Sequence, residues 1–177
     1  LQRLHAGIRK LDVSTPRFTE RVARAEQLVT SRDLTPELAD ADREVLTSTL
    51  RRLRPVIRDR GAAEQLLHGE PHPGNVLSTA HGPLFVDLET CCRGPVEFDL
   101  AHVPETVSEH SPGVDHALLR NCRQLVLAMV AAWRFDKTDK LPNGGRAGRQ
   151  LIDALRQGPP YPSLDSINVM QLHTART

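Results

Sequence analysis

Apolar positions recur at helical spacing through the first 60 residues of the chain. Leu1, Leu4, Ile8 and Leu11 share one face at steps of three and four. Val22, Ala25, Leu28 and Val29 draw a second stripe, and Leu46, Leu50, Leu53 and Ile57 a third. Thr15-Pro16 and Thr35-Pro36 each predict a helix start, with Thr as N-cap and Pro in the first turn, where its missing N–H costs nothing. The period changes after Gly61. Gln65-Leu66-Leu67 reads as a short strand, and Val76-Leu77 and Leu84-Phe85-Val86 as a hairpin around Ala80-His81-Gly82-Pro83. Between them, His68-Gly69-Glu70-Pro71-His72-Pro73-Gly74-Asn75 holds too many prolines and glycines for a regular helix or strand. Helical spacing returns over residues 96–107, 114–135 and 146–156, and the segment from Gly158 onward, rich in proline, predicts irregular chain. The pattern is α+β: a mainly helical body with a small hairpin-bearing insert.

Composition narrows what this body can be. The 177 residues suit one domain with a real core. Aromatics are only 3% of the chain, so that core must be built from Leu, Val, Ala and Ile. Lys and Arg total 23 against 22 acidic residues, which gives no electrostatic case for nucleic acid or an anionic membrane. The longest apolar run, residues 125–133, is about half of what a membrane span needs. Three cysteines, Cys91, Cys92 and Cys122, make no disulfide framework and suit a reducing cytosol, so the expected location is cytoplasmic. Leu1-Gln2-Arg3-Leu4-His5-Ala6 already looks like helix interior, and the expectation is that further sequence precedes it.

The chemistry-bearing stretch is residues 68–99. A carboxylate (Glu70), an amide (Asn75) and a second carboxylate (Asp87) lie in a proline- and glycine-rich setting. Phosphoryl transfer from a nucleotide needs a base beside the attacking hydroxyl and oxygen ligands for Mg²⁺. Mg²⁺ takes few protein oxygens and leaves the rest to water and phosphate. One amide oxygen and one carboxylate meet that demand, provided the hairpin returns Asp87 to the side of Glu70 and Asn75.

The segment 68–75 resembles the catalytic loop of the aminoglycoside phosphotransferase and choline kinase families, His-Gly-Asp-x-His-x-x-Asn. Leu84-Phe85-Val86-Asp87-Leu88-Glu89 is similar to their metal-binding strand end, hydrophobic-Asp-x-Glu. Arg93-Gly94-Pro95-Val96-Glu97-Phe98-Asp99-Leu100-Ala101 matches the following Gly-x-Pro-x-x-Asp-Leu-Ala. Three motifs occur in order within about 35 residues. The resemblance implies the C-terminal lobe of a kinase-like phosphotransferase acting on a small-molecule hydroxyl, with residues 1–177 as the catalytic and substrate-binding lobe. It implies ATP or GTP and Mg²⁺ as cofactors. Glu70 stands where the family places its catalytic carboxylate, with His68 bracing the loop. Asn75 and Asp87 stand at the metal and nucleotide-phosphate positions. Asp99 would anchor the loop, with His72 and Glu89 in support.

Two departures matter. Glu70 replaces Asp, and one methylene displaces the carboxylate by roughly an ångström, a shift that can cost about a hundredfold in rate. There is also no glycine-rich phosphate loop and no strand Lys ahead of the catalytic segment; Lys10, Lys137 and Lys140 are the only lysines. The N-terminal nucleotide-binding lobe is therefore expected to be missing from this chain, and the chain alone to turn over little.

Other readings stand beside this one. A remnant of the same fold could serve binding or regulation without catalysis. A zinc hydrolase using His68, His72 and Asp87 needs a helix to align its imidazoles, which Pro71 and Pro73 forbid. Adjacent Cys91 and Cys92 lack the spacing of a redox or metal pair, Cys122 reads as core and Trp133 as packing. Arg51, Arg52, Arg54, Arg58 and Arg60 read as a solvated face, as do Glu37, Asp40, Asp42 and Glu44, unless the acidic group meets a cationic substrate.

Overall fold

The computed structural model describes residues 1–167. Seven α-helices dominate it: α1 (Gln2–Ile8), α2 (Phe18–Thr30), α3 (Asp40–Arg58), α4 (Val96–Leu100), α5 (Glu105–Glu109), α6 (His116–Arg134) and α7 (Gly144–Gln157). Four short strands, β1 (Glu64–Leu67), β2 (Val76–Thr79), β3 (Gly82–Phe85) and β4 (Cys92–Pro95), form two antiparallel pairs. β2 and β3 are the expected hairpin, with Val76 opposite Phe85 and a turn of only Ala80 and His81. β1 pairs with β4, placing Leu67 opposite Cys92.

The core lies around α6, which packs against α7, α3, α2 and α4. Its apolar run is buried there, as the length argument required: Leu125, Val126, Leu127, Ala128 and Met129 are all at most 1% exposed. The α3 stripe of Leu46, Leu50, Leu53 and Ile57 and the α2 stripe of Val22, Ala25, Leu28 and Val29 face the same core. Phe18 and Phe98, two of the few aromatics, meet within it at 5.6 Å between ring centroids. Among the described residues no helix is long and apolar enough to cross a membrane.

Several local expectations are corrected by tertiary contacts. Pro16 does not start a helix. Its carbonyl accepts the Arg93 N–H at 2.8 Å and Arg17 lies beside Arg93 as an isolated parallel bridge, so α2 begins at Phe18. Glu20 then caps that start by accepting the Arg17 N–H at 2.8 Å. Thr35 is likewise no N-cap. It is fully buried, its hydroxyl donates to Ser31 O and accepts from Arg43, and α3 starts only at Asp40. Residues 96–107 are two helices, because Pro104 lacks an N–H and clashes with the preceding turn. Leu11 lies past the end of α1 and is exposed. β4 carries no alternation that would announce it; it exists because β1 is there to pair with. Beyond Gly158 the described chain holds one 3₁₀ turn at Leu164–Ile167, and the rest of the predicted irregular tail, 168–177, lies outside the described residues.

Candidate active site

The loop after β1 is held from three sides by hydrogen bonds to its own backbone. From α4, the fully buried Asp99 carboxylate accepts the N–H groups of His68 at 2.9 Å and Gly69 at 2.8 Å. His5 on α1 donates Nε2–H to the same carboxylate at 2.8 Å. From the hairpin, Val86 O accepts the His68 Nε2–H at 2.9 Å, which leaves Nδ1 to accept the Glu70 N–H at 3.3 Å. His68 is fully buried and its two ring nitrogens are both engaged by main chain. Its place is that of a brace. From the far end of the loop, Thr90 donates to His68 O at 3.0 Å.

Gly69 has φ +92°, a left-handed conformation, and a Cβ there would overlap Thr90 O and Arg21 Nη1. Past it the chain folds on itself. Glu70 O accepts both His72 N–H at 2.8 Å and Asn75 Nδ2–H at 3.0 Å, and His72 Nδ1 accepts Gly74 N–H at 3.1 Å within the 3₁₀ turn Pro73–Asn75. Val86 N–H donates to Asn75 O at 3.0 Å, extending the β2–β3 register by one pair. That bond fixes Asp87 beside Asn75. Asp87 itself has φ 65° and ψ 53°, a left-handed residue that turns the chain out of β3.

Glu70, Asn75 and Asp87 consequently line one cleft of about 210 Å³, with His72 at its edge and Trp133 and Arg134 of α6 opposite. Glu89 is not among them: it is exposed and borders a neighbouring cleft with Arg21, Arg24 and Trp133. The acidic residues of α3 stay outside as well, with Asp40 paired to Arg32 and Asp42 to Arg156.

The donor set suits a hard divalent cation. Asn75 Nδ2 is engaged by a carbonyl, so Oδ1 is the atom left for a ligand role. The Asp87 carboxylate makes no hydrogen bond or ion pair with the described residues. One amide oxygen and one uncommitted carboxylate fit Mg²⁺. A zinc set of His68, His72 and Asp87 has no such basis: His68 has no free ring nitrogen, and no cluster of three His, Cys, Asp or Glu occurs among the described residues.

Sequence reasoning missed three residues here. Arg21 donates Nη2–H to Glu70 Oε1 and Nη1–H to Thr90 O at 3.1 Å, and its guanidinium lies 5.4 Å from the Trp133 ring centroid. A signal existed: Arg21 falls within the buried face of α2, three residues after Phe18, where a charge is uncommon without a partner. Trp133, read as packing, is half-buried and forms part of the cleft wall. His102 lies buried in the lining, and burial first, then the positive charge of Arg21, hold its pKa well below the usual 6.5. Cys91 and Cys92 are free thiols, and burial pushes Cys92 up to about 12.

A model of the phosphotransferase enzyme family matches residues 1–137. No curated protein matches the sequence. Among solved structures, choline kinase LicA from Streptococcus pneumoniae is similar at a TM-score of 0.65 and 16% identity, over 88% of this chain and 61% of that one. LicA in complex with AMP gives 0.69 and 16%, over 93% and 60%. A Plasmodium vivax ethanolamine kinase gives 0.62 and 14%, over 88% and 55%. At such identities the likeness is one of fold, and the chain spans less than two thirds of the length of each of these proteins.

Proposed function

The chain belongs to the phosphotransferase enzyme family, and from that premise we propose that it moves the γ-phosphoryl group of ATP or GTP to a hydroxyl of a small molecule. The observation that carries the reading is the meeting of Glu70, Asn75 and Asp87 in one cleft, from one rigid loop and one adjoining strand end. Glu70 orients the acceptor hydroxyl and takes its proton. Asn75 Oδ1 and the Asp87 carboxylate hold Mg²⁺. That ion, when bound, neutralises charge on the phosphate oxygens. Asp99 and His68 keep the loop in shape while the reactants change, so catalysis here is mainly positioning.

We further propose that residues 1–177 act as a C-terminal lobe beside a nucleotide-binding lobe. An uncovered apolar face next to the site supports this. Leu11, Val13, Leu84 and Leu88 are each at least 44% exposed and surround a cleft of about 950 Å³ that reaches His68 and Phe85. The AMP-bound neighbour supports nucleotide as the donor class. Small hydroxyl compounds are the acceptor class, in line with the choline and ethanolamine kinases that share the fold.

The reading is tested with the longest reading frame that contains the chain. Nucleoside diphosphate release is measured with Mg²⁺, ATP or GTP, and a panel of hydroxyl acceptors. Acceptor-dependent release is expected. Nucleotide binding with no release for any acceptor would favour the second reading, a binding or regulatory module, to which the occupied Glu70 carboxylate lends some support.

A further inference from the structure

We propose that Arg21 is the positioning residue for the Glu70 carboxylate, and that the pair accounts for glutamate at this place in the loop. The inference rests on the reading of Glu70 as the group that meets the acceptor hydroxyl.

Arg21 is fixed at three points. One guanidinium nitrogen bonds Glu70 Oε1, the other bonds Thr90 O at 3.1 Å, and the planar group lies over the Trp133 ring. Its side chain is 10% exposed and that of Glu70 is 22% exposed, so neither end swings freely in water. A guanidinium holds a carboxylate in a defined plane, which a flexible ammonium does not. With Oε1 held, one oxygen of Glu70 remains for a hydroxyl proton. The longer side chain has one more rotatable bond than aspartate and would otherwise wander over several rotamers. Arg21 removes that freedom.

The space around the contact is built for it. Gly69 lies against Arg21 Nη1, and a side chain at 69 would meet both the guanidinium and Thr90 O. Arg21 can follow a shorter partner only by giving up Thr90 O and its place over the Trp133 ring. Glu70→Asp therefore withdraws the carboxylate from its clamp by about an ångström, and a shift of that size can cost about a hundredfold in rate. Although it restores the residue found in the resembling loop, the substitution is expected to slow this protein.

Trp133 is the single tryptophan of the chain, so its emission reports on the guanidinium lying over it. Emission maximum and acrylamide quenching are measured for the parent, Arg21→Gln, Arg21→Lys, Glu70→Asp and the Arg21→Gln/Glu70→Asp double variant. Circular dichroism checks that each is folded. Glu70→Asp is expected to move the emission toward that of Arg21→Gln, and the double variant to match Arg21→Gln alone. Arg21→Lys serves the same cycle if the Gln variant does not fold. Additive changes, or an emission indifferent to Glu70→Asp, would overturn the clamp. In turnover assays, Arg21→Lys and Glu70→Asp are each expected to lower kcat by tenfold to a hundredfold with KM for nucleotide unchanged; a raised KM with kcat intact would also overturn it. Turnover is read in the longest reading frame that contains the chain; a parent that releases no diphosphate there sinks the phosphotransferase reading instead, and the emission cycle on residues 1–177 still decides whether Arg21 holds Glu70.

Discussion

Asp99 and Gly69, thirty residues apart in sequence, are joined by a 2.8 Å hydrogen bond from the Gly69 N–H to a fully buried carboxylate oxygen. The second oxygen takes the His68 N–H and the His5 imidazole, so one side chain ties the turn that precedes Glu70 to α1. The loop's shape is dictated from α4.

Replacing Asp99 with Asn puts an amide donor where a backbone donor already points. Losing one charge-assisted bond of this kind costs about 1.5–3 kcal/mol. The urea midpoint of Asp99→Asn is expected to fall accordingly, and an unchanged midpoint would remove the anchor role.

Asp87 behaves oppositely. It is exposed and its carboxylate engages no described side chain, so Asp87→Asn is expected to keep stability within about 0.5 kcal/mol. Mn²⁺, which broadens magnetic resonance signals near its site, is the probe. The parent should bind it in the cleft and Asp87→Asn should bind it at least tenfold more weakly. Equal affinities would defeat the metal assignment while leaving the fold untouched.

His102 ties stability to pH. Its folded pKa is depressed, chiefly by burial, so the unfolded chain takes up a proton that the folded one refuses. Stability from this group is fully present above pH 6.5 and is lost as pH falls from there toward the folded value, by at most about 1.4 kcal/mol per pH unit. Urea midpoints from pH 7.5 to 5.5 should decline less steeply in His102→Gln than in the parent. Parallel slopes would refute it.

The thiols should react in order of burial. Burial, then the charge of Asp99, raises the pKa of the half-buried Cys91; Cys92 is pushed to about 12 and Cys122 well above its usual value. Iodoacetamide at pH 8 is expected to label at most one cysteine, Cys91, in the folded protein and all three in urea. Native labelling of Cys122 would contradict its place in the core.

Much of this protein was legible in the order of its residues. The stripes of α2, α3 and α6 are set by periods of three and four, which describe one helix at a time and need no partner. The proline- and glycine-rich loop and the hairpin after it follow from local backbone limits on φ and from the missing N–H of proline. The convergence of Asn75 and Asp87 was foreseeable for the same reason, since a hairpin around residues 80–83 returns the chain upon itself; that Gly82 and Pro83 belong to the strand was not. Tertiary structure alone decided where α2 and α3 begin, that β4 is a strand, and that Glu89 stands apart from the cleft while Arg21 and Trp133 stand within reach of Glu70. Those features depend on which distant surfaces meet: Pro16 finds Arg93, Arg43 finds Thr35, and Arg21 on α2 finds a loop forty-nine residues away. Local pattern is written in the spacing of side chains along one segment. A partner across the core has no spacing, and exists only once the core has closed.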